Sequence, residues 1–162
     1  MRKCVLLLLI SLILSGCGAE DTFETVADEI LQSVDAPRAE IQVNLPEEAA
    51  APVAQGEVGT LYQCDGYEIA LQTFASGDLD ATLRSSTGYG REDLTVIETR
   101  LGKFKRYDLV WSCMGEEGEQ IGRACVLDDG NYHYVLSVLG EADRAGEFEQ
   151  VWEELFSSYA LG

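Results

Sequence analysis

The chain has 162 residues, 46% of them apolar, and a formal charge of −18 at pH 7. That length suits one compact domain and is short for two, and the apolar share excludes a chain that is disordered throughout. The charge excludes nucleic acid and anionic headgroups as general partners, because the summed field repels polyanions.

In chain order, Arg2 and Lys3 give a basic start, and Val5 to Leu14 is an apolar run broken only by Ser11. At 1.5 Å per residue such a run makes roughly 15 Å of helix, about half a bilayer core. It is too short to span a membrane and the right length for the core of a signal peptide. Leu14-Ser15-Gly16-Cys17 follows: an aliphatic residue, two small residues and a cysteine. This box resembles the lipobox of bacterial lipoproteins. The resemblance implies that residues 1–16 are a removable signal peptide and that Cys17 is the lipidation site. Its sulfur would form a thioether to diacylglycerol, and Cys17 would become the acylated, palmitate-bearing N-terminus. It also implies a protein anchored to the cell membrane by its N-terminal lipid and facing outward. Two or three acyl chains give stable attachment where one would not. Gly18 stands where that family's aspartate retention signal would be. A buried cysteine after a short core helix is the simpler alternative, and it leaves the basic start unexplained.

Residues 17–57 read as an acidic N-terminal segment, with acidic residues from Glu20 to Glu57 against a single basic residue, Arg38. Phe23, Val26, Ala27, Ile30, Leu31 and Val34 recur at helical spacing, which predicts a helix over about 22–34. Asp21 or Thr22 can cap its start, and Asp35-Ala36-Pro37 stops it. Such a helix is marginal alone in water, so docking on the domain is expected ahead of a spacer role. Ile41, Val43 and Leu45 alternate like a short strand, and Glu47 to Gly56 reads as a linker.

Residues 58–162 read as an α+β globular domain. Leu61 to Cys64 and Tyr67 to Phe74 flank Asp65-Gly66, a two-residue hairpin signal of type I′. Ser76 to Thr87 carries Leu79, Thr82 and Leu83 at helical spacing, with Ser76 or Asp78 to cap it and Gly88 to end it. Leu94 to Leu101 and Phe104 to Met114 read as strands around Gly102. Gln120 to Asp128 and Asn131 to Val138 flank Asp129-Gly130. A two-residue loop there pairs Asp128 with Asn131 and Cys125 with Tyr134. One face then carries Ile121, Cys125, Leu127, Tyr132, Tyr134, Leu136 and Val138, with Arg123 the exception. The other carries Ala124, Val126, His133, Val135, Ser137 and Leu139 and is mixed. Phe148, Val151, Trp152, Leu155, Phe156 and Tyr159 make the stripe of a C-terminal amphipathic helix, opposite Glu147, Glu149, Gln150, Glu153 and Glu154. The expected architecture is an antiparallel meander of hairpins covered by that helix and one or two others.

Chemistry is sparse. Once Cys4 leaves with the signal and Cys17 is acylated, Cys64, Cys113 and Cys125 remain, and export permits a disulfide. Cys113 and Cys125 are the first candidates, on neighbouring strands; a simple register would set Cys113 opposite Gly122 and forbid the bond. A reduced cysteine packed as a small hydrophobe is the alternative. There is no Cys-x-x-Cys, Gly-x-Ser-x-Gly, Ser-x-x-Lys or phosphate-cradling loop. His133, the single histidine, lacks an evident nucleophile and orienting carboxylate, with Cys125, Cys113 and Ser137 the conceivable partners. Asp78/Asp80, Glu116-Glu117/Glu119 and Asp128-Asp129 lack the alternating oxygen ligands of a calcium loop, so no metal site and no cofactor are expected. Lys103, Lys105 and Arg106 form a basic patch in a hairpin turn, read as a solvated strand edge.

Four stretches carry a further likeness: Tyr107-Asp-Leu-Val-Trp111, Gly115-Glu-Glu-Gly118, Arg123 to Tyr134, and Trp152-Glu-Glu-Leu-Phe-Ser-Ser-Tyr159. They resemble small bacterial lipoproteins. More distantly, the element order over Leu61 to Leu161 is similar to the Mog1/PsbP-like fold. The long acidic N-terminal part departs from that plan. What the resemblance implies is an α+β domain used for binding or assembly, with no site residues carried over. The expected function is a membrane-anchored, non-enzymatic binding or assembly domain. The alternative is a hydrolase or thiol enzyme using His133 with a cysteine or serine.

Overall fold

The computed structural model describes residues 36–116 and 118–162. The leader, the Leu14-Ser15-Gly16-Cys17 box and the helix expected over 22–34 lie outside the described residues. The strands are β1 (Ile41–Gln42), β2 (Ala54–Gln55), β3 (Gly59–Gln63), β4 (Tyr67–Ala75), β5 (Thr95–Leu101), β6 (Phe104–Met114), β7 (Glu119–Asp128), β8 (Tyr132–Glu141) and β9 (Ala160–Leu161). The helices are α1 (Leu79–Thr87) and α2 (Ala145–Ser158). One antiparallel sheet runs β2-β3-β4-β8-β7-β6-β5, and β1 pairs with β9 in a second, two-stranded sheet. This is the α+β fold expected from the hydrophobic patterning.

The hairpins follow from local chemistry, and the centre of the sheet does not. β5 to β8 are consecutive antiparallel neighbours. β4 pairs with β8, from Tyr67↔Gly140 to Ala75↔Tyr132, so α1 carries the chain from the centre of the sheet to its far edge. Asp78 caps α1 by accepting from the backbone N–H of Asp80 and Ala81. Gly88, at φ 80°, ends it in the left-handed region that glycine adopts without a Cβ clash.

The two-residue loop expected at Asp129-Gly130 falls one residue later, at Gly130-Asn131, closed by the Asp129 N–H donating to the Tyr132 carbonyl at 3.2 Å. Asp128 pairs with His133 and Cys125 with Leu136, a shift of two residues. A type I′ turn needs positive φ at both central residues, and among the described residues only glycines have it. The aspartates set the displaced loop instead. Asp129 Oδ1 accepts from the N–H of Asn131 and Tyr132, each at 2.8 Å, and Asp128 Oδ1 accepts from the N–H of Gly130 at 2.8 Å. A slip of two residues keeps every side chain on its face, so the expected core face survives. Asp65-Gly66 is a two-residue loop, with Gly66 alone at positive φ, and so is not type I′ either.

Two cores result. On one face α2 presses Phe148, Trp152, Leu155 and Phe156 onto Ile69, Cys125, Leu127, Tyr134, Leu136 and Val138. On the other, Leu83 of α1 packs with Phe74, Tyr107, Leu109, Ala124, Val126 and Val135. The face expected to be mixed is therefore a second buried layer, and His133 and Ser137 are buried in it as well. Gly122 is tied to this layer: a Cβ there would stand 2.2 Å from the Trp111 ring.

The stretch 36–57 is built into the fold. β1 pairs with β9, Ile41 opposite Leu161. The Ala39 N–H donates to Tyr134 Oη at 2.8 Å, Tyr132 Oη donates to the Ala36 carbonyl at 2.8 Å, and Tyr67 Oη donates to Glu48. Glu47 to Gly56, expected as a linker, holds a 3-10 turn at Glu47–Ala49 with Ala49 buried, followed by β2 on the edge of the sheet. Tyrosine hydroxyls projecting from the sheet give this polar strap its partners.

Leu155 and Leu83, both fully buried, sit on opposite faces of one sheet. Leu155→Ala and Leu83→Ala should each cost about 2–5 kcal/mol in denaturant unfolding of the full chain. Because the sheet separates them, the double variant should lose the sum of the two to within about 0.5 kcal/mol.

Candidate functional site

Three places in the described residues combine polar chemistry with enclosure: a cleft at one end of the sheet, a groove beside α2, and the surroundings of His133.

The cleft arises where the cover of α1 runs out. Its floor carries Gln63, Glu68, Leu139, Gln120 and Glu141, brought into adjacent rows by the β3–β4, β4–β8 and β8–β7 registers. The β6–β7 turn adds Glu116 and Glu119, and Asp143 closes the side, around a volume of about 1180 Å³. Burial pushes the Glu68 carboxyl above its ordinary value, which is the cost of taking a charge from water. The chemistry on offer is a field attractive to cations. Among the described residues no group of three or more His, Cys, Asp and Glu is placed to hold a metal ion.

The groove runs between α2 and the sheet and is lined by Arg106, Arg123, Glu149, Gln150, Glu153 and Phe156. Its cations are already engaged. Arg106 makes a bidentate pair with Asp108 at 2.7 and 2.8 Å, and Arg123 lies 4.2 Å from the centre of the Phe156 ring. The expected basic patch is thereby split. Lys105 and Arg106 are successive strand residues and project to opposite faces, while Lys103 lies over the Phe104 ring.

His133 is only 3% exposed. Its Nδ1 is 2.7 Å from Thr82 Oγ1, its Nε2 is 3.4 Å from Ser76 Oγ, and Ser76 Oγ in turn donates to Asp128 Oδ1 at 3.2 Å. A serine, a histidine and an aspartate therefore meet, but in the wrong order for a nucleophile relay. That arrangement needs the hydroxyl on one ring nitrogen and the carboxylate on the other. Here Asp128 lies on the serine's side, 3.9 Å from Nε2, and a threonine takes Nδ1. Buried beneath α1, the ring ties that helix to β8. Of the hydroxyl and thiol partners considered from sequence, Cys125 lies on the opposite face, and Ser137 is four residues along the same strand. Cys113 is on the right face but eight strand residues from Lys105, the residue in line with His133, or about 27 Å away. Sequence reading missed Ser76 and Thr82 as the true neighbours, since only the pairing of β4 with β8 brings their segment to His133. The signal that could have found them is the Asp78 cap, which fixes Thr82 on the inner side of α1.

Cys64, Cys113 and Cys125 are free thiols. The Cys113–Cys125 bond considered from sequence does not fit the fold. Cys113 pairs with Gln120 and Cys125 with Asp108, five residues apart along β7 and on opposite faces. Burial pushes the Cys125 thiol up to about 12 and raises that of Cys64, so neither is an activated thiolate. Among the acidic residues screened as calcium ligands, Asp80 takes Arg84 and the N–H of Arg91, and Asp78, Asp128 and Asp129 cap backbone N–H groups.

No family model matches the chain, and no curated protein matches it by sequence. Among solved structures it is similar to LpqN of Mycobacterium tuberculosis, described as involved in cell envelope biogenesis. The likeness covers 78% of this chain and 87% of that one, with a TM-score of 0.50 and 10% identity. At that identity what is shared is the fold.

The His133 surroundings give a pH prediction. Desolvation holds the imidazole below its ordinary value; Asp128, Asp129 and Asp78 oppose the shift, and Lys105 adds to it. The unfolded chain, with an ordinary imidazole near 6.5, then binds a proton more readily than the folded one. Stability is fully present above pH about 6.5 and falls as the pH drops from there toward the folded-state value. Denaturant midpoints at pH 7.5 and 5.5 should show this loss in the parent and a smaller one in His133→Gln.

Proposed function

We propose that this chain is a lipid-anchored envelope protein whose folded part is a non-enzymatic binding or assembly domain. The observation that carries the reading is the leader: a basic start, an apolar run too short to span, and Leu14-Ser15-Gly16-Cys17. Among the described residues no helix is long and apolar enough to cross a membrane. Attachment in this reading falls to acyl groups on Cys17. The fold shared with LpqN, described as involved in envelope biogenesis, supports the same compartment.

Binding in preference to catalysis is supported by the state of the reactive groups. His133 is walled in, two of the three thiols are held protonated by burial, and the carboxylates that cap turns are committed to backbone N–H groups. The acidic cleft around Glu68 and Glu141 is the surface that a cationic partner would meet first.

The test is metabolic labelling with palmitate together with membrane fractionation. The parent should carry label and sediment with membranes, and Cys17→Ala should lose both. Label or membrane retention in Cys17→Ala equal to the parent would overturn the anchor.

A further inference from the structure

Strand β5 is an edge of the sheet, paired on one side only among the described residues. Edge strands in monomeric proteins are blunted by bulges, prolines, charged side chains, shortness or a covering loop, because open N–H and C=O groups template association. The opposite edge, β2, has only two residues. β5 has seven, contains no proline, and keeps an unbroken register with β6 from Thr95↔Val110 to Leu101↔Phe104.

Its side chains are as open as its backbone. Ile97 and Leu101, on the α2 side but beyond the helix, are 61% and 49% exposed, and both stand out among large apolar residues. Glu98 and Arg100 project from the other face, exposed and in no ion pair among the described residues.

These residues are complementary to themselves. Place a second copy of β5 antiparallel to the first, with the two-fold axis through Thr99. Ile97 then faces the second copy's Leu101, Glu98 faces its Arg100, and Thr99 faces its own counterpart. The symmetry repeats each pair, as in an isologous interface. Apolar, opposite-charge and Thr–Thr pairs are the cross-strand neighbours that stabilise a sheet. An axis one residue earlier sets Glu98 against Glu98, and one residue later sets Arg100 against Arg100, so the charges select the register. We propose that β5 is a self-association edge, through which two copies of this chain join their sheets antiparallel about Thr99. The contact is one strand long, below the size of a standard interface, so the dimer is weak and concentration-dependent.

A symmetric cross-link tests this in the full-length protein isolated from cells that express it. Directly opposed residues hold their Cβ atoms about 4.5–5.5 Å apart, close enough for a disulfide to form with small adjustments. Thr99→Cys under mild oxidation should give a disulfide-linked dimer that the parent, with its own cysteines, does not give. In that background Glu98→Arg or Arg100→Glu alone should lower the dimer yield several-fold. The two together should restore it, because the pair is remade with its signs exchanged. All three positions are exposed, so folding is unaffected. No dimer from Thr99→Cys, equal yields across the charge variants, or a double variant that fails to recover would each overturn the proposal.

Discussion

The pairing of β4 with β8 is the constraint on which the rest of the molecule depends. It joins residues 57 to 73 positions apart in the chain and sets the sheet's central strands side by side. Both faces of these strands must be covered, because both carry apolar side chains. α2 covers one with Trp152, Leu155 and Phe156, and α1 covers the other with Leu83. Without that pairing the hairpin β7–β8 and the strand β4 would each expose a face that no local partner can bury, and closing so long a loop is the entropic cost that the two cores offset.

The same pairing explains the state of the polar groups inside. Ser76 and Thr82 reach His133 because β4 delivers its following loop to the end of β8. The ring is satisfied on both nitrogens and shut away from water. The tyrosines at the other face work in the opposite direction. Their bodies fill the core and their hydroxyls reach its rim, where they meet the backbone of the strap at Ala36 and Ala39 and the carboxylate of Glu48. The acidic segment is thereby held both by hydrogen bonds that the sheet supplies and by Ile41, Val43 and Leu45, which pack on the core beside buried Ala49.

What could be read from the sequence was what is encoded locally. Phe148 to Tyr159 announced α2 by its stripe, Asp78 and Gly88 bracketed α1, and the parity of Cys125, Leu127, Tyr134 and Leu136 marked one core face. The turn at Asp129-Gly130 differs because two aspartates accept from the backbone N–H groups, and their bonds favour a loop one residue later than the dipeptide alone implies. The stretch Glu47 to Gly56 departs from a linker for a different reason: Glu48 is held by Tyr67, and Ala54-Gln55 pairs with β3 although it carries no strand pattern of its own. The second core hid behind Ala124, Ser137 and His133, which look like a mixed face until α1 is laid across them. The cleft around Glu68 had no local signal either, since its floor comes from β3, β4, β7 and β8 together. The expected signal peptide and the lipidation expected at Cys17 rest on the sequence alone.

The clasp between the strap and the C-terminal end carries a mechanical implication. β1 meets β9 through two residue pairs, and Gly162 N–H donates to the Glu40 carbonyl. A pull arriving from the N-terminal side of Ala36 would load first the Tyr132–Ala36 bond, then the Tyr134–Ala39 bond, and only afterwards the β1–β9 pairs. Bonds taken one after another yield at low force, as in a zipper, and β8 takes the load only through the side chains of Tyr132 and Tyr134. The strap is thus built to give way before the domain does, absorbing strain by lengthening.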